Sequence, residues 1–205
     1  MSEQQPQVSK MAGALVEHQR AFEVMPTEDR QWVIMNTVTA IGLFAEAVKN
    51  RSFSAVKKLL EFVKTVSLPA IGTFVVADKL RPGKTIDGIE VGWLGDNIKK
   101  YFLSKIEKNV VAAEELKVSK LLKGSRDPAI ITEFGGEEKV EITFGQYWEF
   151  LKTADQNSWY VAYIRDVWGV LWAVCGYWDD GGWYFEAFPL DYPHRWDVGG
   201  QFLSR

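Results

Sequence analysis

The chain has 205 residues, 47% of them hydrophobic, enough to bury a core and too apolar for disorder across most of its length. The net charge of -3 is unevenly spread: from Asp155 onward seven acids stand against three bases, the wrong sign for a nucleic-acid surface. The single cysteine, Cys175, excludes an internal disulfide and a Cys-x-x-Cys metal knuckle, and it suits a reducing compartment.

Residues 1–10 are polar, with no basic stretch leading into an apolar one, so no secretory signal is expected. The expected location is the cytoplasm, with export by a signal-less route left open. Residues 32–48 form the longest apolar run, but Asn36, Thr37, Thr39 and Glu46 interrupt it and Lys49 ends it. That is too polar and too short to span a bilayer, and a largely buried helix is expected instead.

Apolar spacings of three and four predict helices through the first seventy residues. One runs over 8–24 and stops at Pro26. A second is capped by Thr27, carries Glu28 and Asp29 in its first turn and reaches about Lys49. Ser52 caps a third, in which Val56, Leu59, Leu60, Val63 and Val66 make one stripe and Pro69 ends the helix. The expected layout is a helical segment over 1–68, suited to packing or homo-oligomerisation, then an α+β domain over 73–205.

Within that domain, residues 74–77 read as a strand, Arg81-Pro82-Gly83 as a turn, and 86–93 as a second strand interrupted by glycines. Asp96 or Asn97 opens an amphipathic helix with Ile98, Tyr101, Phe102 and Ile106 inward and Lys99, Lys100, Lys105 and Lys108 outward. Residues 116–122 and 129–134 fit either strand or helix, and Gly135-Gly136 breaks the latter. Thr143 is the predicted cap of a helix from Phe144 to about Ala154 that buries Tyr147, Trp148 and Leu151. The last fifty residues read as an antiparallel meander with strands at 159–165, 170–178, 183–188 and 201–203.

Seven of the nine tryptophans follow residue 147, more rings than one small sheet can hide. Along 170–178 one parity holds Val170, Trp172, Val174, Gly176 and Trp178, the other Leu171, Ala173, Cys175 and Tyr177. Both are apolar, which predicts a central strand. In the next strand Trp183, Phe185 and Ala187 share one face, and Tyr184, Glu186 and Phe188 the other. Tyrosine and tryptophan offer stiff contact area with a polar tip, as binding surfaces require. Trp172, Trp178 and Trp183 are assigned to the core; Tyr177, Tyr184, Phe188, Tyr192 and His194 are expected to be exposed.

Chemistry is poorly signalled. Cys175 and His194 lack any surrounding nucleophile signature. Asp179-Asp180 before two glycines is explained by turn chemistry, without the ligand spacing of a calcium loop. Gly135-Gly136-Glu137-Glu138-Lys139 lacks phosphate-loop spacing, and two histidines, His18 and His194, do not suggest a metal centre. No cofactor and no enzymatic activity are expected.

The segments Ser67-Leu68-Pro69-Ala70, Trp93-Leu94-Gly95-Asp96-Asn97, residues 128–139, Trp178-Asp179-Asp180-Gly181-Gly182-Trp183 and the ending Phe202-Leu203-Ser204-Arg205 resemble an uncharacterised bacterial family, over nearly the whole chain. The layout is also similar to the target proteins of diversity-generating retroelements, in which a variable, aromatic-rich C-terminus sits on a C-type-lectin-like fold. That resemblance implies a framework of Trp172, Val174, Trp178, Gly182, Trp183, Ala187, Pro193, Trp196 and Phe202 to Arg205. It implies an exchangeable set of Cys175, Gly176, Tyr177, Tyr184, Glu186, Phe188, Tyr192, His194, Asp197 and Gln201.

The resulting expectation is a non-catalytic binding protein for a protein or glycan ligand, contacting it through Cys175, Tyr177, Tyr184, Glu186, Phe188, Tyr192, His194, Asp197 and Gln201. The alternative from another class is a self-assembling protein whose tryptophans are core and whose helices form the interface.

Overall fold

A computed structural model of the chain describes residues 58–108 and 112–205, with positions 27, 31, 34, 35, 36 and 38. The chain divides into two compact units, Met1–Lys57 and Lys58–Arg205. The helices expected over 8–24 and 27–49 fall, apart from those scattered positions, outside the described residues. Among the described residues no helix is long and apolar enough to cross a membrane.

The second unit corrects the expected α+β class. It is mostly β, built on one eight-stranded mixed sheet with short helices on its faces, and the end of the segment expected to be helical, Leu60–Leu68, is a strand. In chain order the elements are β1 (Leu60–Leu68), β2 (Phe74–Val75), α1 (Val76–Lys79), β3 (Lys84–Ile86), β4 (Ile89–Leu94), α2 (Asp96–Tyr101), β5 (Ile106–Glu107) and β6 (Glu114–Leu121). Then follow α3 (Asp127–Phe134), α4 (Glu137–Val140), α5 (Phe144–Leu151), β7 (Trp159–Arg165), β8 (Leu171–Asp179), β9 (Gly182–Pro189) and β10 (Gln201–Ser204). Across the sheet the order is β1-β6-β10-β7-β8-β9-β4-β3, and β2 pairs with β5 apart from it.

The stretch expected to end a third helix is therefore β1. The amides of Leu59, just before it, and of Leu60 donate to the Glu133 carboxylate of α3 at 2.8 and 2.9 Å, and the strand pairs antiparallel with β6. A bulge at Phe62 to Lys64 shifts the alternation by one residue. Leu60 thus joins one core and Leu68 the other.

Residues 86–93 are likewise a hairpin, turning at Asp87 (φ 52°) and Gly88 (φ 83°). Residues 74–77 give only a two-residue strand before α1, and Ile106 lies on β5 rather than on α2. The β8–β9 turn has the same Asp-Gly chemistry, with Asp180 at φ 42° and Gly181 at φ 82°. Successive positive φ angles suit the right-handed twist of the flanking strands, and no cation is required to explain the two aspartates.

β7, β8 and β9 do form an antiparallel meander. The closing strand does not extend it: β10 inserts on the far side of β7, parallel to β7 and antiparallel to β6. β8 is a central strand with a packed residue on each face at nearly every position.

Alternation divides the unit into two cores. On the first face Trp172, Val174, Trp183, Phe185, Ala187, Tyr160 and Leu203 pack against α2 and α5. α5 begins with a capping box between Thr143 and Gln146, and the Glu107 carboxylate also accepts the Phe144 and Gly145 amides at 2.8 and 2.9 Å. On the second face Val161, Tyr163, Ala173, Cys175 and Phe202 meet α3 and α4. Beyond those helices, the segment after β9 flanks the part of this face over β8 and β9, through Leu190 and Trp196.

Candidate functional site

The second face carries a run of rings across four neighbouring strands. A register shift in β4 between Val91 and Trp93 turns Trp93 away from the first core. Trp93 stacks on Tyr184 with centroids 6.1 Å apart, and the Tyr184 ring lies over Gly92, where a Cβ would come within 2.5 Å of it. Tyr184 meets its cross-strand partner Tyr177 at 5.6 Å. Tyr177 pairs in turn with Trp159 on β7, whose ring covers Gly200 and stacks on Trp196 at 5.5 Å.

The segment after β9 folds back beside this run. Phe188 contacts Tyr192 at 5.1 Å and Trp196 edge-on at 5.5 Å, and Tyr192 contacts His194 at 5.1 Å. A hollow of about 180 Å³ lies among Asp127, Phe188, Tyr192, His194, Arg195 and Trp196. A second, of about 330 Å³, is lined by Trp159, Cys175, Tyr177, Arg195, Trp196 and Asp197, so Arg195 and Trp196 border both. A third, of about 150 Å³, includes Trp93, Asn97, Glu186 and Phe188. Phe188 thereby links it to the first.

Asp127, in the first turn of α3, is the buried anchor of the region, only 3% exposed. Its Oδ1 accepts hydrogen bonds from Tyr163 Oη and from Trp196 Nε1, both at 2.8 Å. Burial pushes its carboxyl above the ordinary carboxylate value, opposed by those two bonds and by its own backbone amide. The Tyr163 phenol is pushed well up, first by burial and then by the neighbouring Asp127 charge.

Of the residues expected at the site, Cys175, Tyr177, Tyr184, Glu186 and Phe188 share the second face, with Cys175 opposite Glu186 and Tyr177 opposite Tyr184. Tyr192, His194 and Asp197 are exposed on the adjoining segment. Gln201 stands apart: on β10 it shares the parity of Leu203, and its amide donates to Ser158 Oγ at 2.8 Å. Cys175 is buried, and burial together with the Glu186 carboxylate drives its thiol strongly towards the protonated form. It lines a different hollow from His194.

The framework residues Trp172, Val174, Trp183 and Ala187 all lie in the first core, with Trp178 packed against it. Gly176 does not suit an exchangeable position, because a Cβ there would come within 2.5 Å of Tyr147 Oη. Trp93, Asp127, Trp159, Arg195 and Trp196 border the hollows without having been singled out as contacts from sequence. Of these, only the Arg195-Trp196 pair directly after His194, in a turn-rich stretch, carried a local signal.

Among the described residues no group of three or more histidine, cysteine or acidic side chains is arranged to hold a metal ion. Comparison of the chain with protein-family models, with curated proteins and with solved structures finds no match.

Proposed function

We propose that Lys58–Arg205 is a non-catalytic ligand-binding module that contacts a protein or a glycan through the second face of β8 and β9 and the segment 188–197. The observation that carries this reading is an asymmetry. The first face of these strands is filled by α2 and α5, whereas Trp93, Tyr177, Phe188, Tyr192 and Trp196 line neighbouring hollows that share residues. Stiff aromatic rings interspersed with Glu186, Arg195 and Asp197 combine large contact area with hydrogen-bonding groups.

The parity of β8 and β9 also supports a diversified version of this reading. Substitutions at Tyr177, Tyr184 and Glu186 leave the first core untouched. Sequencing the gene segment for 169–205 across a natural population tests it. Variation confined to such positions with Trp172 and Trp183 constant is expected; a uniform segment refutes diversification.

The binding reading itself is tested by presenting the full chain and its Tyr177→Ala/Tyr184→Ala variant to a glycan array and to a displayed peptide library. Binding by the parent that the variant loses at unchanged melting temperature is the expected result. No selective binding, together with a particle size that grows with concentration, refutes it in favour of self-assembly.

A further inference from the structure

We infer that the hollow between α3 and the segment 188–196 is a subsite for one ring of a neutral sugar. This rests on the binding reading above and narrows its ligand. The lining holds one carboxylate, Asp127, and one permanent cation, Arg195, so an anionic ligand meets the first and a cationic ligand the second. A neutral ligand with both donors and acceptors is repelled by neither.

The carboxylate is built for such a ligand. Both donors that reach Asp127 from other described residues meet Oδ1, and its own backbone amide is the further donor beside the carboxylate, which is almost wholly buried next to the hollow. A carboxylate offers about four acceptor sites, so a ligand hydroxyl adds a donor to these three. The Arg195 guanidinium, held to Gly124 O through Nη1 at 3.4 Å, has further N–H groups with which to donate to a ring or hydroxyl oxygen.

The walls are rings. Phe188 stands edge-on to Trp196 and tilted against Tyr192, a setting in which the C–H face of a pyranose is covered while its hydroxyl rim meets Asp127 and Arg195. At about 180 Å³ the space is smaller than the roughly 300–1,000 Å³ of pockets for drug-sized ligands. It therefore takes a single ring. The larger hollow beyond Trp196 shares Arg195 and is lined by Trp159, Tyr177 and Asp197, which is where a second, linked ring would lie. Asp127, by fixing the Trp196 indole N–H, acts as a positioning residue for both.

The test is saturation-transfer difference NMR on the full chain with the methyl glycosides of glucose, galactose, mannose and N-acetylglucosamine, and with adenosine as a neutral planar control. Transfer to at least one glycoside, strongest at ring C–H protons, is expected. Tyr192→Ala should abolish it, and Arg195→Leu should weaken the affinity about tenfold, the worth of one charge-assisted hydrogen bond. Both side chains are exposed, so neither change threatens folding. Transfer to adenosine alone, transfer unaffected by either substitution, or no transfer to any glycoside overturns the inference. If the peptide library is still captured through Tyr177 and Tyr184 in that event, the binding reading stands without the sugar; if it is not, both fall.

Discussion

Replacing Asp127 separates the two things its carboxylate does. Asp127→Ala leaves the buried Tyr163 hydroxyl and the half-buried Trp196 indole N–H without the acceptor that each reaches at 2.8 Å. A buried donor left unpaired costs about 1–3 kcal/mol, so a loss of about 2–5 kcal/mol is expected, reduced by release of the buried charge. Asp127→Asn keeps an acceptor oxygen and removes the charge. Burial raises this carboxyl above its ordinary 3.8, so the folded protein holds the proton more tightly than the unfolded chain does. Between 3.8 and the raised folded value, stability from this group falls as pH rises, and above the folded value the cost is constant. Urea unfolding of parent and Asp127→Asn, followed by tryptophan fluorescence from about pH 4 to 8, isolates this group because the other carboxylates cancel in the difference. The asparagine variant should gain on the parent as pH rises and then level off. A difference that is flat, or that shrinks with pH, would refute the assignment of burial as the dominant influence.

Gly176→Ala should destabilise by about 1–3 kcal/mol, because its Cβ would meet Tyr147 Oη at 2.5 Å and press on the bond from that hydroxyl to Tyr160 O; chemical denaturation reads it, and an unchanged midpoint would count against the packing described. Thr143→Ala removes a capping-box oxygen from the Gln146 amide and should cost about 1 kcal/mol or less, since Glu107 still holds the next two amides. The Thr143→Ala/Glu107→Gln pair should lose more than the two single changes together, read in a double-mutant cycle. Cys175 should resist iodoacetamide in the native protein and react readily in denaturant, because burial keeps the thiol protonated and enclosed; rapid native alkylation would contradict its placement.

What could be read from the chain was mostly what local chemistry decides. Thr143 announces a helix start; β7 occupies Trp159–Arg165, the stretch expected as the first strand of the meander; the two parities of β8 foretell its two packed faces. The failures share a cause, which is dependence on a distant partner. Leu59, Leu60, Val63 and Val66 fall at helical spacing, yet pairing with β6 and the Glu133 carboxylate decide for a strand. Nothing local in Gln201–Ser204 says that it will insert between β6 and β7. Asp-Gly at 87–88 is a hairpin signal that the glycine-rich run obscured. Asp127 reads in sequence as one more acid in the first turn of a helix; only the fold brings Tyr163 and Trp196 to it.

The strands that carry the candidate site are held from behind. Tyr147 and Phe185 pack edge-on at 6.2 Å, Phe144 lies 6.4 Å from Phe185, and Tyr160 contacts both Phe150 and Trp183, so the first face anchors β8 and β9 from one side, while Leu171, Ala173 and Cys175 pack β8 into the second core. Side chains on the second face can then be exchanged at small cost wherever they are not themselves buried, which admits Tyr177, Tyr184 and Glu186 but not Cys175 or Ala173. The segment 188–197 obeys a different constraint. Beyond Pro189, where β9 ends, it is located by the bridge from Ser125 to Trp196, the indole bond to Asp127, the Arg195 bond to Gly124 O and the packing of Trp196 on Trp159 and Phe202, so most of what holds its exposed residues, Tyr192, His194, Arg195 and Asp197, runs through Trp196. A binding surface arranged in this way has a rigid floor of strands and one wall held chiefly at one tryptophan. Loss of Trp196 should therefore disturb both adjoining hollows together, whereas loss of Tyr192 should disturb one.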